Sequence, residues 1–138
     1  MKAVFVDTSA SVALRSRSEL HHLAASRSLG TPAKGSIPLV TSNFVLDETY
    51  TLLKGRYGAC VAIRFGDGLR ESAWVWVQPV EAALQERAWQ IFKRTRDQDF
   101  SFTDCTSFAV MESLRLDQAF TFDRGFQRFG LRPVPEPG

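Results

Sequence analysis

Four carboxylates stand where apolar sequence breaks: Asp7, Glu48, Asp104 and Asp123. Asp7 ends the run Ala3-Val4-Phe5-Val6, and Asp123 follows Ala119-Phe120-Thr121-Phe122. Glu48 lies inside a stretch from Phe44 to Leu53, and Asp104 opens the segment from Thr103 to Met111. Acids at strand ends and helix starts can converge at one edge of a parallel sheet. There they repel one another unless a divalent cation lies between them. Acid clusters of that kind hold Mg²⁺ or Mn²⁺ for phosphodiester chemistry.

Taken singly, three of these acids have stronger structural readings. Asp7 could cap a helix beginning at Thr8-Ser9-Ala10. Ser101-x-x-Asp104 has the form of a capping box, and Asp123 precedes Arg124-Gly125, a turn pattern. Glu48 differs. Helical spacing puts it on a face with Phe44 and Leu52, whereas Asp47 shares a face with Asn43, Thr51 and Lys54. This spacing predicts a solvated Asp47 and a Glu48 turned toward the core. A carboxylate there is costly unless paired, protonated or metal-bound; a buried Glu–Arg pair is the alternative to a functional role.

The elements that must position these acids alternate. Lys2–Val6, Leu39–Thr41, Trp74–Val77 and Ala119–Phe122 read as strands, with Leu131–Val134 as a short edge strand. Helices are expected directly after Asp7, from about Glu19 to Leu29, from an Asn43 cap to about Lys54 closed by Gly55, over Ala82–Arg94, and over Thr103–Leu114. A helix from Gly58 to about Ser72 is expected to be interrupted at Gly66-Asp67-Gly68. Gly30 to Pro38 is a loop. Such alternation implies a parallel α/β sheet with helices on both faces, and sites at the carboxyl ends of its strands.

A chain of 138 residues, 44% hydrophobic and 23% charged, fits one ordinary globular domain. No apolar stretch reaches the length of a membrane span, and Asp7 interrupts what would be a leader's apolar segment. Cys60 and Cys105 form no CxxC pair, so both are expected as buried, reduced thiols in a cytoplasmic protein. The net charge of +2 permits a nucleic-acid partner without arguing for one. Arg15, Arg17, Arg27 and Lys34 cluster early, and Arg124, Arg128 and Arg132 follow the last acid, a distribution that suits a polyanion.

The chain resembles the PIN-domain ribonucleases, in particular the VapC-like toxins of toxin–antitoxin pairs, over nearly its whole length. Val4-Phe5-Val6-Asp7-Thr8-Ser9 looks like the family's first motif and Val45-Leu46-Asp47-Glu48-Thr49 its second. Phe100-Ser101-Phe102-Thr103-Asp104 resembles the third, and Thr121-Phe122-Asp123-Arg124-Gly125-Phe126 the fourth. The resemblance implies a three-layer α/β/α sandwich in one domain over residues 1–138. It also implies an Mg²⁺ or Mn²⁺ site in which Asp7 and Asp104 are the primary ligands, with Asp123 and Glu48 bound directly or through water. Thr8, Ser9 or Thr121 would support these acids with hydroxyl donors. The implied reaction is metal-dependent hydrolysis of RNA, single-stranded or in loops rather than duplex. The implied partners are a cognate antitoxin and a second copy in a homodimer. Phe65, Trp89 and Phe92 are candidates for an apolar interface, against ordinary core packing.

Other chemistries fit less well. A phosphatase of the haloacid-dehalogenase type needs a second acid two residues after the first, where Ser9 stands. No GxxxxGK[ST] phosphate loop occurs, and Gly66-Asp67-Gly68 lacks the third glycine of a dinucleotide fingerprint. His21-His22 are adjacent rather than one helical turn apart, against zinc. The remaining rival is a PIN-like scaffold that binds RNA or protein without cutting.

Overall fold

Five short strands form one parallel sheet in the order β3-β2-β1-β4-β5. The strands are β1 (Val4–Val6), β2 (Leu39–Ser42), β3 (Val75–Gln78), β4 (Gln118–Phe120) and β5 (Arg132–Val134). The computed structural model describes residues 3–15 and 37–135. The helix expected at Glu19–Leu29, most of the Gly30–Pro38 loop, His21-His22, Arg17, Arg27, Lys34 and the Arg15 side chain lie outside the described residues. The described helices are α1 (Thr8–Arg15), α2 (Asn43–Tyr57), α3 (Ala59–Glu71), α4 (Ala82–Arg94), α5 (Phe102–Leu114) and α6 (Arg124–Arg128). None of them is long and apolar enough to cross a membrane.

The chain begins in the middle of the sheet. β1 is buried at all three residues, as a strand covered on both faces must be. Phe5 and Ala119 join one core cluster with Val45, Ile91, Phe108 and Phe126. Val4, Val6 and Phe120 face the other way, onto Ala10 and Ala13 of α1. Period-two alternation in β1 and β4 thus feeds two helical layers, giving the expected α/β/α sandwich. From β1 the strand order runs outward through β2 and β3, then returns to β4 on β1's other side. Strand order reverses between β1 and β4, and in open α/β sheets a crevice opens at the carboxyl ends of such a pair.

Several expected boundaries shift. Ser42, not Asn43, caps α2, because its hydroxyl accepts from the Val45 N–H at 3.1 Å. Asn43 instead accepts from the Val80 N–H at 2.8 Å, tying α2 to the loop after β3. α2 runs through Gly55 and stops at Gly58, whose φ of +93° favours glycine. α3 is continuous through Gly66-Asp67-Gly68. Gly66 is there for space: a Cβ would sit 3.3 Å from the Tyr50 ring, so the glycine lets α2 and α3 approach closely. Cys105 is buried as expected, but Cys60 is exposed on α3; both are free thiols.

Candidate active site

The carboxyl ends of β1 and β4 are stitched together by hydroxyls. Asp7 follows β1 and is only 4% exposed. Its Oδ2 accepts from Thr121 Oγ1 at 2.9 Å and from Ser9 Oγ at 3.0 Å. Each hydroxyl also accepts a backbone N–H from the segment after β4. The Asp123 N–H donates to Thr121 Oγ1 at 2.9 Å, and the Phe122 N–H donates to Ser9 Oγ at 2.9 Å. The Asp7 N–H donates to the Phe120 carbonyl at 3.0 Å. The neighbouring strand therefore fixes the orientation of this carboxylate.

Helix starts bring in two further acids. Asp104 lies in the first turn of α5, in a true capping box. Its N–H donates to Ser101 Oγ, and its Oδ2 accepts from the Ser101 N–H, both at 3.0 Å. Asp123 caps α6, its Oδ1 accepting from the Gly125 N–H at 2.8 Å. Gly125 is closely packed: a Cβ there would lie 3.2 Å from both Asp123 Oδ1 and the Phe100 ring, so one of them would have to shift. The capping-box reading of Asp104 therefore holds, and Asp123, read from sequence as part of a turn, caps a short helix; each engages one carboxylate oxygen.

Glu48 is half-buried and Asp47 exposed, in the expected order. The buried face of α2 is Val45, Leu46, Thr49 and Leu53, however, with Leu52 exposed. Glu48 therefore flanks that face and does not enter the core. Thr49 takes the inward position, donating to the Val45 carbonyl at 2.8 Å and to Thr8 Oγ1 at 3.3 Å. The Thr8 hydroxyl in turn reaches the Val45 carbonyl at 3.4 Å, so it braces α1 against α2. Of the three expected supporting hydroxyls, only those of Ser9 and Thr121 reach an acid.

The four acids sense one another through Asp104. Burial pushes Asp7 up to about pKa 7; the Thr121 hydrogen bond opposes this, and the charge of Asp104 adds to it. Ser9 and the Thr8 N–H also hold it down. Burial likewise raises Asp104, against its Ser101 N–H bond, and the charges of Asp123 and Glu48 raise it further. Among the described residues, the ion pairs are Arg87–Glu112 and Arg132–Asp117, and neither includes these acids. The Glu48–Arg alternative thus finds no partner there. Arg128 sits 5.9 Å from the centre of the Phe100 ring, and Arg124 is exposed.

Mutually repelling carboxylates that pair with no cation among the described residues fit a hard divalent ion, for which oxygen donors are suited. Among the described residues, no three His, Cys, Asp or Glu side chains close around one point. Mg²⁺ needs no such cage, because it commonly binds through one or two carboxylates and retains waters.

An aromatic cluster is built on the helices that carry Asp104 and Glu48. Phe102, two residues before Asp104, has its ring centre 6.3 Å from Phe44, 6.3 Å from Trp89 and 5.8 Å from Phe92. Trp89 is 47% and Phe92 36% exposed, while Phe65 of α3, grouped with them from sequence, is buried against Leu46 and Leu53 of α2. The sequence signal missed for this cluster was the position of Phe102 and of Phe44, one turn before Glu48.

A sheet with its acids at a strand-order reversal defines a class, and sequence comparison identifies it. The PIN-domain profile matches residues 4–131. The chain belongs to the PIN-domain family, among its VapC-like members. It is 39% identical over 132 residues to the 23S rRNA-specific endonuclease VapC20 of Mycobacterium tuberculosis, covering 95% of this chain and 97% of that one. It is 30% identical over 126 residues to a VapC ribonuclease of Archaeoglobus fulgidus, covering 90% and 79%. A crystal structure of M. tuberculosis VapC20, described as a sarcin–ricin loop cleaving toxin, superposes with a TM-score of 0.85 at 36% identity. That match covers 94% of this chain and 96% of that chain.

Proposed function

We propose that this chain is a metal-dependent ribonuclease, the toxin of a toxin–antitoxin pair, with Asp7, Glu48, Asp104 and Asp123 as its Mg²⁺ or Mn²⁺ site. The observation that carries the reading is the gathering of the acids: burial raises Asp7 and Asp104, the charge of Asp104 adds to the first, and those of Asp123 and Glu48 add to the second. Among the described residues no cation relieves them. The names of the relatives support RNA as substrate, and that of VapC20 makes large-subunit ribosomal RNA the first one to test.

In this reading Asp7 and Asp104 are the principal ligands. Ser9 and Thr121 hold Asp7 in one orientation, which lowers the cost of assembling the site. Asp123 and Glu48 orient water at the rim as acceptors. A bound divalent cation would lower the pKa of an attacking water and stabilise the leaving oxygen. Without it Asp7 holds a proton to about pH 7, so metal binding and proton release are coupled. We further propose a homodimer, a protein antitoxin as inhibitor and a cytoplasmic site of action.

The test is cleavage of total RNA with Mg²⁺ or Mn²⁺, beside EDTA, Asp7→Asn and Asp104→Asn. The expected result is cutting that stops in all three controls. Folded, inhibitor-free, metal-supplied protein that binds RNA and leaves it uncut would replace this reading with the scaffold.

A further inference from the structure

We propose that Thr49 is a positioning residue for the metal site: with Thr8 it holds Glu48 at a fixed offset from Asp7. The inference rests on the metal-site reading of the four acids. Three of those acids are held by hydrogen bonds of their own. Ser9 and Thr121 hold Asp7, Ser101 holds Asp104, and the Gly125 N–H holds Asp123. The Glu48 carboxylate has no hydrogen-bond or ion-pair partner among the described residues. Its place is therefore set by the backbone of α2, and whatever fixes α2 fixes Glu48.

A closed triangle of polar groups fixes α2 at this point. Thr49 Oγ1 lies 2.8 Å from the Val45 carbonyl oxygen and 3.3 Å from Thr8 Oγ1. Thr8 Oγ1 lies 3.4 Å from the same carbonyl. All three residues are buried. Two corners of the triangle adjoin acids along the chain. Thr49 follows Glu48, and Thr8 follows Asp7, whose carboxylate accepts from the Thr8 N–H. The helices α1 and α2 thus meet at the residues that neighbour the two acids.

Packing does not by itself ask for hydroxyls here. Elsewhere on the same two helices, Val12 of α1 clusters with Leu46 and Leu53 of α2. A threonine inside a helix commonly bonds the carbonyl four residues back, as Thr49 does to Val45. The reach across to Thr8 is the added element. Exchanging both hydroxyls for methyl groups of the same shape costs little stability. What the triangle supplies is a single geometry, because a satisfied buried network holds its members in one arrangement. That geometry bears on the acids, since Glu48 is close enough to Asp104 for its charge to be felt there.

The test is Mn²⁺ binding to the full chain by isothermal titration calorimetry, with urea melts of each variant. Thr49→Val should weaken Mn²⁺ binding about 10-fold, as when a bond that orients a metal ligand is lost. Thr49→Ser should keep the parent's affinity. Thr8→Val combined with Thr49→Val should bind no more weakly than Thr49→Val alone, because one network is lost in both. The same double variant should unfold near the parent's urea midpoint, and it carries the comparison if an unpaired Thr8 destabilises Thr49→Val. In a Glu48→Gln background Thr49→Val should change affinity little, whereas in Asp123→Asn its full effect should remain.

Parental affinity in Thr49→Val, or a loss undiminished in Glu48→Gln, overturns the positioning role while the metal site stands. An equal loss in Thr49→Ser assigns the effect to packing of the methyl group and overturns the role as well. Mn²⁺ binding by the parent no tighter than by Asp7→Asn overturns the metal site, and the positioning role falls with it.

Discussion

The two ends of the parallel sheet are built from opposite materials. At the carboxyl ends stand Asp7, Thr121 and Asp123, joined by short hydrogen bonds among side chains and backbone. At the amino ends, Pro38, Leu39, Trp74, Val75 and Leu116 line an apolar cavity of about 300 Å³. The roomy end has no acid in its wall. The acid end is held together by hydrogen bonds instead. α6 follows β4, so it begins at the carboxyl edge and presents N–H donors there, which is why Asp123 can sit at its start.

The largest test of this contrast is pH. The folded protein keeps Asp7 protonated to about pH 7, whereas an unfolded aspartate ionises near 3.9. Between those values the native state binds the extra proton, so metal-free protein should lose stability as pH rises. The Asp7 share is about 4 kcal/mol. Asp7→Asn, whose amide oxygen still accepts from Ser9 and Thr121, should remove it. In urea melts with EDTA the mutant should gain on the parent steadily from pH 4 to pH 7; a constant gap would mean that the acid end is not strained.

Next comes the apolar end. Leu116 is 7% exposed and belongs to the main core. Leu116→Ala should cost about 2–5 kcal/mol of stability while leaving cleavage per folded molecule unchanged. Lost activity in protein that is still folded would erase the distinction between the ends.

The smallest effect should come from Thr121→Val, which keeps the shape and removes the donor to Asp7. Cleavage or metal affinity should fall about 10- to 100-fold, and Thr121→Ser should recover it. Equal activity in the valine variant would show that the hydroxyl only fills space.

Sequence made the strand–helix alternation legible because β1 is buried on both faces and reads as an unbroken apolar run. The four acids stood out because each interrupts such a run. What sequence obscured depended on tertiary partners. Asn43 has the right type for a cap, yet Val80, 37 residues away, claims its side chain and Ser42 caps instead. Gly66 reads as a helix break until Tyr50 is seen against it. Spacing alone turns Glu48 inward, yet the buried face lies one residue on, because Thr49 finds Thr8 across the helix pair. That Asp104 is the hub could not be read from spacing, since Asp7 and Asp123 meet it only through the fold.

Gly125 carries a consequence for heredity. Its lack of a side chain leaves room for the Asp123 carboxylate and the Phe100 ring together. Every base change at the first two positions of a glycine codon removes the glycine. If expression of this chain arrests a host, colonies that escape should include Gly125 replacements with all four acids intact, alongside losses of the acids themselves.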